Sequence, residues 1–526
     1  MVELVKKNIH MNRWKGNAAT QITLDDDFIV PDTMDDMEQV IMDTGEVQIE
    51  AVKNMGEKVS VKGKVTFQIL YAKAEGGMQT LGGAIPFDEV VNVPGLEEKD
   101  YAGVSWELED LNAAMINSRK LSVKAIVTLD VRVEALYDAQ ASADVVSAPD
   151  RMGEEVQIES LKRKTDVASI AIRRKDTYRI KDTITLSGSK PSIDALLWSE
   201  LKLRGVNTKP LDGKIQIDGE LMIFIIYNSE GESAPVQWLE ESIPFSGELE
   251  LLEAAEDMIP AIQVHMIHKD LEVKPDADGE LRELEVDAVL ELDMKLYEEE
   301  EMELLSDLYS TNRELSLQTG EVNFEQILSK NTGKCKVSDK IQVDADPRIL
   351  QICHSEGSVK IDEVQKGEDA LQIEGALEIR LLYLTTDDRE PVKSHVAMIP
   401  FRYTADAPGI GEDSIYQLDT GLEQLSAMML STDTIEVKAT VILDFLVLQP
   451  VSETVIESVS VEPLDVKKLQ EMPGIVGYIV QPDDSLWTIA KKFHTTIDNV
   501  VAANSLPEEK VSAGDKLILM KEIAKG

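Results

Sequence analysis

Three stretches decide how this chain is read: "VKGKVTFQILY" at residues 61–71, "IDGELMIFIIY" at 217–227 and "IEGALEIRLLY" at 373–383. In each, a glycine stands eight residues before the tyrosine, at Gly63, Gly219 and Gly375, and successive copies are 156 residues apart. Each copy then reaches an Ile-Pro-Phe triplet, at Ile85-Pro86-Phe87, Ile243-Pro244-Phe245 and Ile399-Pro400-Phe401. A third block follows, "LSVKAIVTL" from Leu121, "LEVDAVLEL" from Leu284 and "IEVKATVIL" from Ile435. Upstream, "ITL" at Ile22, "ITL" at Ile184 and "IQV" at Ile341 give a fourth landmark in the same order. Ordered self-similarity of this kind marks one domain used three times.

The side-chain period identifies the domain. Val61, Val65, Phe67, Ile69 and Tyr71 fall on one face while Lys62, Lys64, Thr66 and Gln68 fall on the other, the period of a half-buried strand. The second copy is apolar on both faces from Leu221 to Ile226, which predicts a strand covered on both sides. The repeated glycine predicts a bulge or a close backbone approach. Helical spacing is confined to "LEDLNAAMI" from Leu108 and "LEQLSAMML" from Leu422, which predict one short helix per copy. The glutamate-rich "YEEEEMELL" from Tyr297 reads as a solvated helix joining copies two and three. The fold class expected is mainly β: three sandwich-like repeats over 1–150, 165–312 and 318–462, then a small βααβ domain over 476–522.

Composition narrows function. The 526 residues, 43% of them apolar, suffice for three to four hydrophobic cores. Ninety-eight acidic against 53 basic residues give a net charge of −45, which argues against nucleic acid or anionic lipid as ligand and favours basic protein surfaces, polyamines or metal ions. The beginning "MVELVKKNIHMNRWKGNAATQITLDDD" has no apolar signal core, and no window approaches 18 apolar residues, so a chain that is neither exported nor membrane-inserted is expected. Two cysteines, Cys335 and Cys353, fit a reducing compartment.

Catalytic patterns are lacking. His265 and His268 are three apart, spacing that puts them on opposite faces of a regular strand, and nothing completes a metal set. Cys353-His354 resembles a nucleophile and base only in sequence, because neighbours on a strand point apart. In "KPDADGELRELE" from Lys274, Asp276, Asp278, Gly279 and Glu285 match positions 3, 5, 6 and 12 of a calcium loop, but Lys274 occupies position 1. A hairpin insertion present only in the second copy is the better reading. No catalytic residue, metal or cofactor is expected.

From Tyr478 the pattern becomes strand, helix, helix, strand. Asp484 or Ser485 can cap a helix carrying Leu486, Ile489, Ala490 and Phe493 on one stripe; Thr495 or Thr496 opens a second with Ile497, Val500 and Val501, which Asn504 ends. Trp487 lies off the stripe, free to anchor a partner or to pack on the linker from Leu469. Leu506 and Pro507 would extend such a patch, with Lys491 and Lys492 adding positive charge. From Tyr478 onward seven acidic and six basic residues nearly cancel, so the acidity belongs to the repeats.

Tyr478-x-Val480, Asp484-Ser485-Leu486, Ile489-Ala490, Phe493, Asn504-x-Leu506, Gly514 and Leu517-x-Leu519 resemble the LysM domain. That resemblance implies a shallow groove for N-acetylglucosamine-containing glycans between Gln481–Leu486 and Asn504–Glu508. Asp483 stands where LysM domains commonly carry glycine, adding charge to the groove. Three β-rich repeats followed by LysM resemble the SPOCS-domain spore coat proteins of clostridia, the SipL-like coat morphogenetic group. This implies a non-enzymatic scaffold in the mother-cell cytosol, at the forespore surface, that binds the ATPase of the coat's basement layer through its LysM domain. The competing expectation is a protein that binds peptidoglycan or cortex glycan through the LysM groove.

Overall fold

In the computed structural model, residues 2–149, 155–229, 236–343, 347–387, 392–464, 474–506 and 510–520 are described. The first copy is six antiparallel strands: β1 (Val2–Ile29), β2 (Met37–Asn54), β3 (Lys58–Lys73), β4 (Met78–Asn92), β5 (Tyr101–Asn117) and β6 (Lys120–Ser147). They form two three-stranded sheets, β1-β6-β5 and β2-β3-β4, that face each other over one core. The second copy repeats this with β7 (Ile158–Thr185), β8 (Ile193–Leu211), β9 (Lys214–Ser229), β10 (Gln237–Glu250), β11 (Ile259–Pro275) and β12 (Leu281–Ser310). The third uses β13 (Arg313–Gln342), β14 (Ile349–Lys366), β15 (Ala370–Thr385), β16 (Val392–Asp406), β17 (Ile415–Met429) and β18 (Thr434–Pro463). The chain is mainly β, with a small α+β domain at its end.

The decisive stretches are the central strands β3, β9 and β15. Val61, Val65, Ile69 and Tyr71 are fully buried between the sheets, and the Tyr71 hydroxyl donates to the Asp35 carbonyl (3.2 Å). The glycine landmark is explained by its partner across the ladder: Gly63 pairs with Phe87, Gly219 with Phe245 and Gly375 with Phe401, each the phenylalanine of Ile-Pro-Phe. A Cβ on Gly63 would lie 2.6 Å from both the Gln48 carbonyl and the Phe87 ring; on Gly375 it would lie 2.4 Å from the Lys360 carbonyl. The close approach needs a residue without a side chain.

Both predicted helices are strands. "LEDLNAAMI" lies in β5 and "LEQLSAMML" in β17, each carrying a β-bulge, at Leu108/Asp110 and Leu422/Gln424. A bulge adds one residue to the count, so leucines three apart point the same way, as they would on a helix. Both leucines of each pair lie about 3 Å from the Cβ position of one glycine, Gly45 or Gly357. A third bulge, at Met266/His268, brings His265 and His268 to one side of β11, where a regular strand would separate them. The acidic run is also strand: Glu298–Glu301 lies inside β12, paired with β7, where Lys164 meets Glu301 (2.7 Å) and Lys7 meets Glu300. Buried Met302 and Leu304 supply the alternation that holds it. The hairpin from Lys274 is no insertion in kind, because β5–β6 and β17–β18 turn at the same place with shorter connections. There the Asp276 carboxylate accepts from the amides of Asp278 (2.9 Å) and Glu280 (3.0 Å), and Gly279 takes φ +85°.

The three repeats close on one another. Leu70, Ile226 and Leu382, which occupy one position in three copies, share a buried cluster with Met42, Trp198 and Phe224. The second copy therefore does bury both faces of its central strand, with Phe224 and Ile226 turned to this junction. The outer ends of the long strands, 28 to 30 residues each, extend past the sandwiches and pack through Ile9, Met11, Val167, Met302, Phe324 and Val455.

One polar insertion interrupts the junction. Across from Leu382, at the position of Met42 and Trp198, the third copy places His354, stacked on Phe224 (centroids 4.0 Å apart). Its Nδ1 lies 3.1 Å from Glu240 and its Nε2 3.7 Å from Glu200, both of the second repeat. Burial works against the charged ring, but the flanking carboxylates outweigh it and raise its pKa to about 9.

Two outcomes follow from these contacts. Replacing Gly63 by alanine overpacks the β2–β3–β4 sheet and is expected to lower unfolding free energy by about 1 to 3 kcal/mol, read as a reduced urea midpoint, while Gly188→Ala, with open space around it, leaves the midpoint unchanged. Because His354 titrates higher folded than its ordinary value near 6.5, its stabilisation is complete below that value and is lost as pH rises through about 9. The thermal midpoint should fall over that window in the native protein and follow a flatter course in His354→Gln.

Candidate functional site

The C-terminal domain comprises β19 (Ile475–Ile479), α1 (Leu486–Lys492), α2 (Ile497–Asn504) and β20 (Lys516–Met520). Ser485 caps α1 in a reciprocal box with Thr488, and Thr496 caps α2 through the Asn499 amide. Leu486, Ile489, Ala490, Val500, Leu517 and Leu519 form the core, with Leu506 half-buried against it. Asp484 accepts from the Tyr478 hydroxyl (2.6 Å) and the Gln481 amide (2.8 Å), which hold its carboxyl below the usual range. Asn504 ties the end of α2 to β20: its amide nitrogen donates to the carbonyls of Val500 and Ile518 (2.8 Å each), and its oxygen accepts from the Ile518 amide (2.6 Å). Asp484, Ser485, Leu486 and Asn504 are thus all engaged in holding the domain together.

Trp487 has a different surrounding. It leaves the stripe of α1, as the sequence indicates, and meets the end of β12 in the second repeat. Its indole N–H donates to Asp307 Oδ2 (2.8 Å), and Lys491 Nζ donates to Asp307 Oδ1 (2.5 Å). Tyr309 stands edge-on to the indole at 4.8 Å, donates to the Thr495 carbonyl (2.9 Å), and is buried in the same cluster as Leu486 and Ile489. The residue that completes the terminal domain's core therefore comes from the repeat body. Nothing in "SDLYS" at 306–310 distinguishes Asp307 and Tyr309 from an ordinary strand end, so the sequence gives no sign of this role.

What stays open is the opposite side. Asp483 is exposed at the loop between β19 and α1, and Lys492 lies 5.0 Å over the Tyr478 ring. The outer face of the two-stranded sheet shows Ile475, Ile479, Ile518 and Met520, each about half exposed or more. Pro507 and Glu508 lie outside the described residues.

Elsewhere, burial pushes the Cys353 thiol up to about 12, a neutral and unreactive state, while the neighbouring His354 ring turns to Glu240 and Glu200. Glu285 pairs with Lys181 (2.7 Å) and Asp276 closes its own turn, so each has a structural task. Among the described residues no three His, Cys, Asp or Glu side chains converge as a metal site, and no helix is long and apolar enough to cross a membrane.

Asp307 satisfies a buried indole and a lysine together, and its loss leaves the indole N–H without a partner. Asp307→Ala is expected to speed amide exchange in Leu486–Lys492 by about tenfold or more, equivalent to roughly 1.4 kcal/mol, with exchange in β3, β9 and β15 unchanged. Tyr309→Phe, which loses only the bond to Thr495, should give a smaller effect in the same segment.

Comparison with known families matches the SipL SPOCS domain at residues 36–116, 192–274 and 348–430, and the LysM domain at 478–519. Each SPOCS match runs from β2 to β5 or its counterparts, the part of the repeat that contains the glycine-to-tyrosine strand and the Ile-Pro-Phe triplet. No curated protein and no solved structure matches the chain. Both kinds of domain are non-catalytic binding domains. With three such repeats and a terminal LysM domain, the chain belongs to the SipL-like family of SPOCS and LysM proteins.

Proposed function

We propose that this protein is a scaffold of endospore coat assembly, working in the mother-cell cytosol at the forespore surface, where its LysM domain holds the morphogenetic ATPase of the coat's basement layer. The SPOCS repeats and LysM domain support a spore coat protein. The observation that carries the ATPase-binding reading is the open apolar face of β19 and β20. Ile475, Ile479, Ile518 and Met520 sit together on a nearly neutral domain, joined to a body that holds almost all of the net charge of −45. A few desolvated apolar anchors supply most of the energy of a protein interface, and like charge elsewhere suppresses unwanted contacts. Trp487 and Lys491 serve this surface indirectly, because their contacts with Asp307 fix the domain on the body.

The second reading, glycan binding in the LysM groove, is favoured by the exposed loop at Gln481–Asp483. One experiment separates the two. The full-length protein is immobilised with purified basement-layer ATPase, and in parallel sedimented with insoluble peptidoglycan. Ile479→Glu with Ile518→Glu is expected to cut ATPase retention about tenfold or more while circular dichroism stays native. A wild-type protein that pellets with peptidoglycan and retains no ATPase overturns the scaffold reading of the LysM domain.

A further inference from the structure

The two edges of the small β19–β20 sheet are not alike. Asn504 closes the β20 edge: its side chain bonds the N–H and the C=O of Ile518 (2.6 and 2.8 Å), so both backbone groups point away from β19. Ile518 stands opposite Gly477. Theirs is therefore a pair that exchanges no ladder hydrogen bonds, and the Gly477 N–H and C=O point outward on the other edge. Val480 agrees in phase. Its N–H donates to the Asp515 carbonyl and its C=O accepts from the Gly514 amide (2.9 Å each), both towards the β20 side, so by alternation Ile475, Gly477 and Ile479 face away. Among the described residues the one partner on this edge is Gln481, whose side-chain nitrogen donates to the Ile479 carbonyl (2.8 Å).

A strand edge with free backbone groups is a template for another strand, and folded chains usually cover it. The sandwiches do so: β1 packs beside β4 and β2 beside β5, with the same closures in the other two repeats. The β19 edge has no such cover among the described residues, its one paired strand being β20. Nor does the body take it, because the body's hydrogen bonds to the domain reach Trp487, Lys491, His494 and Thr495.

What fits this edge is written in β19 itself. In Ile475-Val476-Gly477-Tyr478-Ile479 an isoleucine stands two residues to either side of the glycine. A second β19 laid antiparallel sets Gly477 against Gly477, and each Ile475 against Ile479 of the other copy on the open face. On the opposite face each Val476 meets Tyr478, a favourable pairing of β-branched and aromatic side chains. Open space around Gly477 lets the second backbone approach, and only the Ile479 carbonyl has to share its acceptor with Gln481. Charge favours the same place. From Tyr478 onward seven acidic and six basic residues nearly cancel, whereas the bodies carry almost all of the −45 and repel each other.

We propose that the free edge of β19 pairs with β19 of a second copy of this chain, joining two LysM domains in one four-stranded antiparallel sheet about a two-fold axis at Gly477. Ile475, Ile479, Ile518 and Met520 of both copies then lie on one continuous face. A pairing of five-residue strands is small for a protein interface, so association is weak in dilute solution and strengthens with concentration and with salt that screens the bodies.

Sedimentation equilibrium of the full-length protein alone tests this, with no ATPase present, so its outcome is independent of the partner proposed above. In about 0.5 M salt the mean mass is expected to rise from one chain towards two between about 5 and about 200 μM. Gly477→Pro removes the outward N–H and spares the bonds between β19 and β20; it should raise the dissociation constant about tenfold or more. Ile475→Lys and Ile479→Glu read the register, whether or not the proline variant folds. Each alone sets a charge against isoleucine and should lose the dimer. Mixed, they set lysine against glutamate and isoleucine against isoleucine, and association should return. A native protein that stays at one chain throughout overturns the proposal, as does a dimer that survives in folded Gly477→Pro. It is equally overturned if either charged variant alone dimerises as the native protein does, or if the mixture associates no better than its components.

Discussion

The structure depends on packing among Leu70, Ile226 and Leu382, one position used three times to close three sandwiches on each other. Each sandwich has its own core, but the long paired strands β1 and β6, β7 and β12, and β13 and β18, the first and last of each repeat, run beyond it as two-stranded ribbons. Isolated ribbons of that kind are marginal in water, and each of these gains its third layer from the other two repeats. Repetition in sequence therefore gives closure in space, in contrast to the open stacks that short solenoid repeats build.

Closure by three copies of one domain raises the question of how each copy finds its place. The inter-repeat polar groups differ from copy to copy: His354 between Glu200 and Glu240, Lys269 with Glu46 (2.6 Å), and Glu134 with Arg173 and Lys295. Buried ion pairs contribute little net stability against apolar replacements, but where the pair is buried, as Glu134 is with Arg173 and Lys295, a wrong pairing leaves a charge uncompensated, at a cost of about 3 to 5 kcal/mol; the partly exposed Lys269–Glu46 pair contributes less. These groups act against misregistered association of the three related repeats. The apolar packing between repeats two and three, of Ile170 and Tyr297 with Leu448, could not do so alone.

Much of the fold could be read from residues. The period of two in 61–71 names a strand, and the glycine before each tyrosine signals the close approach that Phe87, Phe245 and Phe401 make. The terminal domain is legible because its caps and core stripe are local. Misreading came where local spacing is ambiguous: Leu108 and Leu111 are three apart on a bulged strand, and Glu298–Glu301 looks solvated until Met302 and Leu304 are placed against neighbours. At the candidate site the sequence singles out Asp484, Ser485, Leu486 and Asn504, whose contacts in the structure hold the fold of the domain; it gives no sign of the partner of Trp487, because Asp307 is 180 residues away and long-range packing leaves no local pattern.

The contact of Trp487 and Tyr309 also changes the thermodynamics of recognition. A domain swinging on a flexible linker must give up its freedom of orientation each time a partner is seated, and that loss subtracts from affinity. Here the loss is already met on folding, when β12 supplies a residue to the LysM core. Several copies of the protein would present their open faces at one fixed angle to their bodies, so neighbouring molecules on a curved surface could share a direction without any further ordering step.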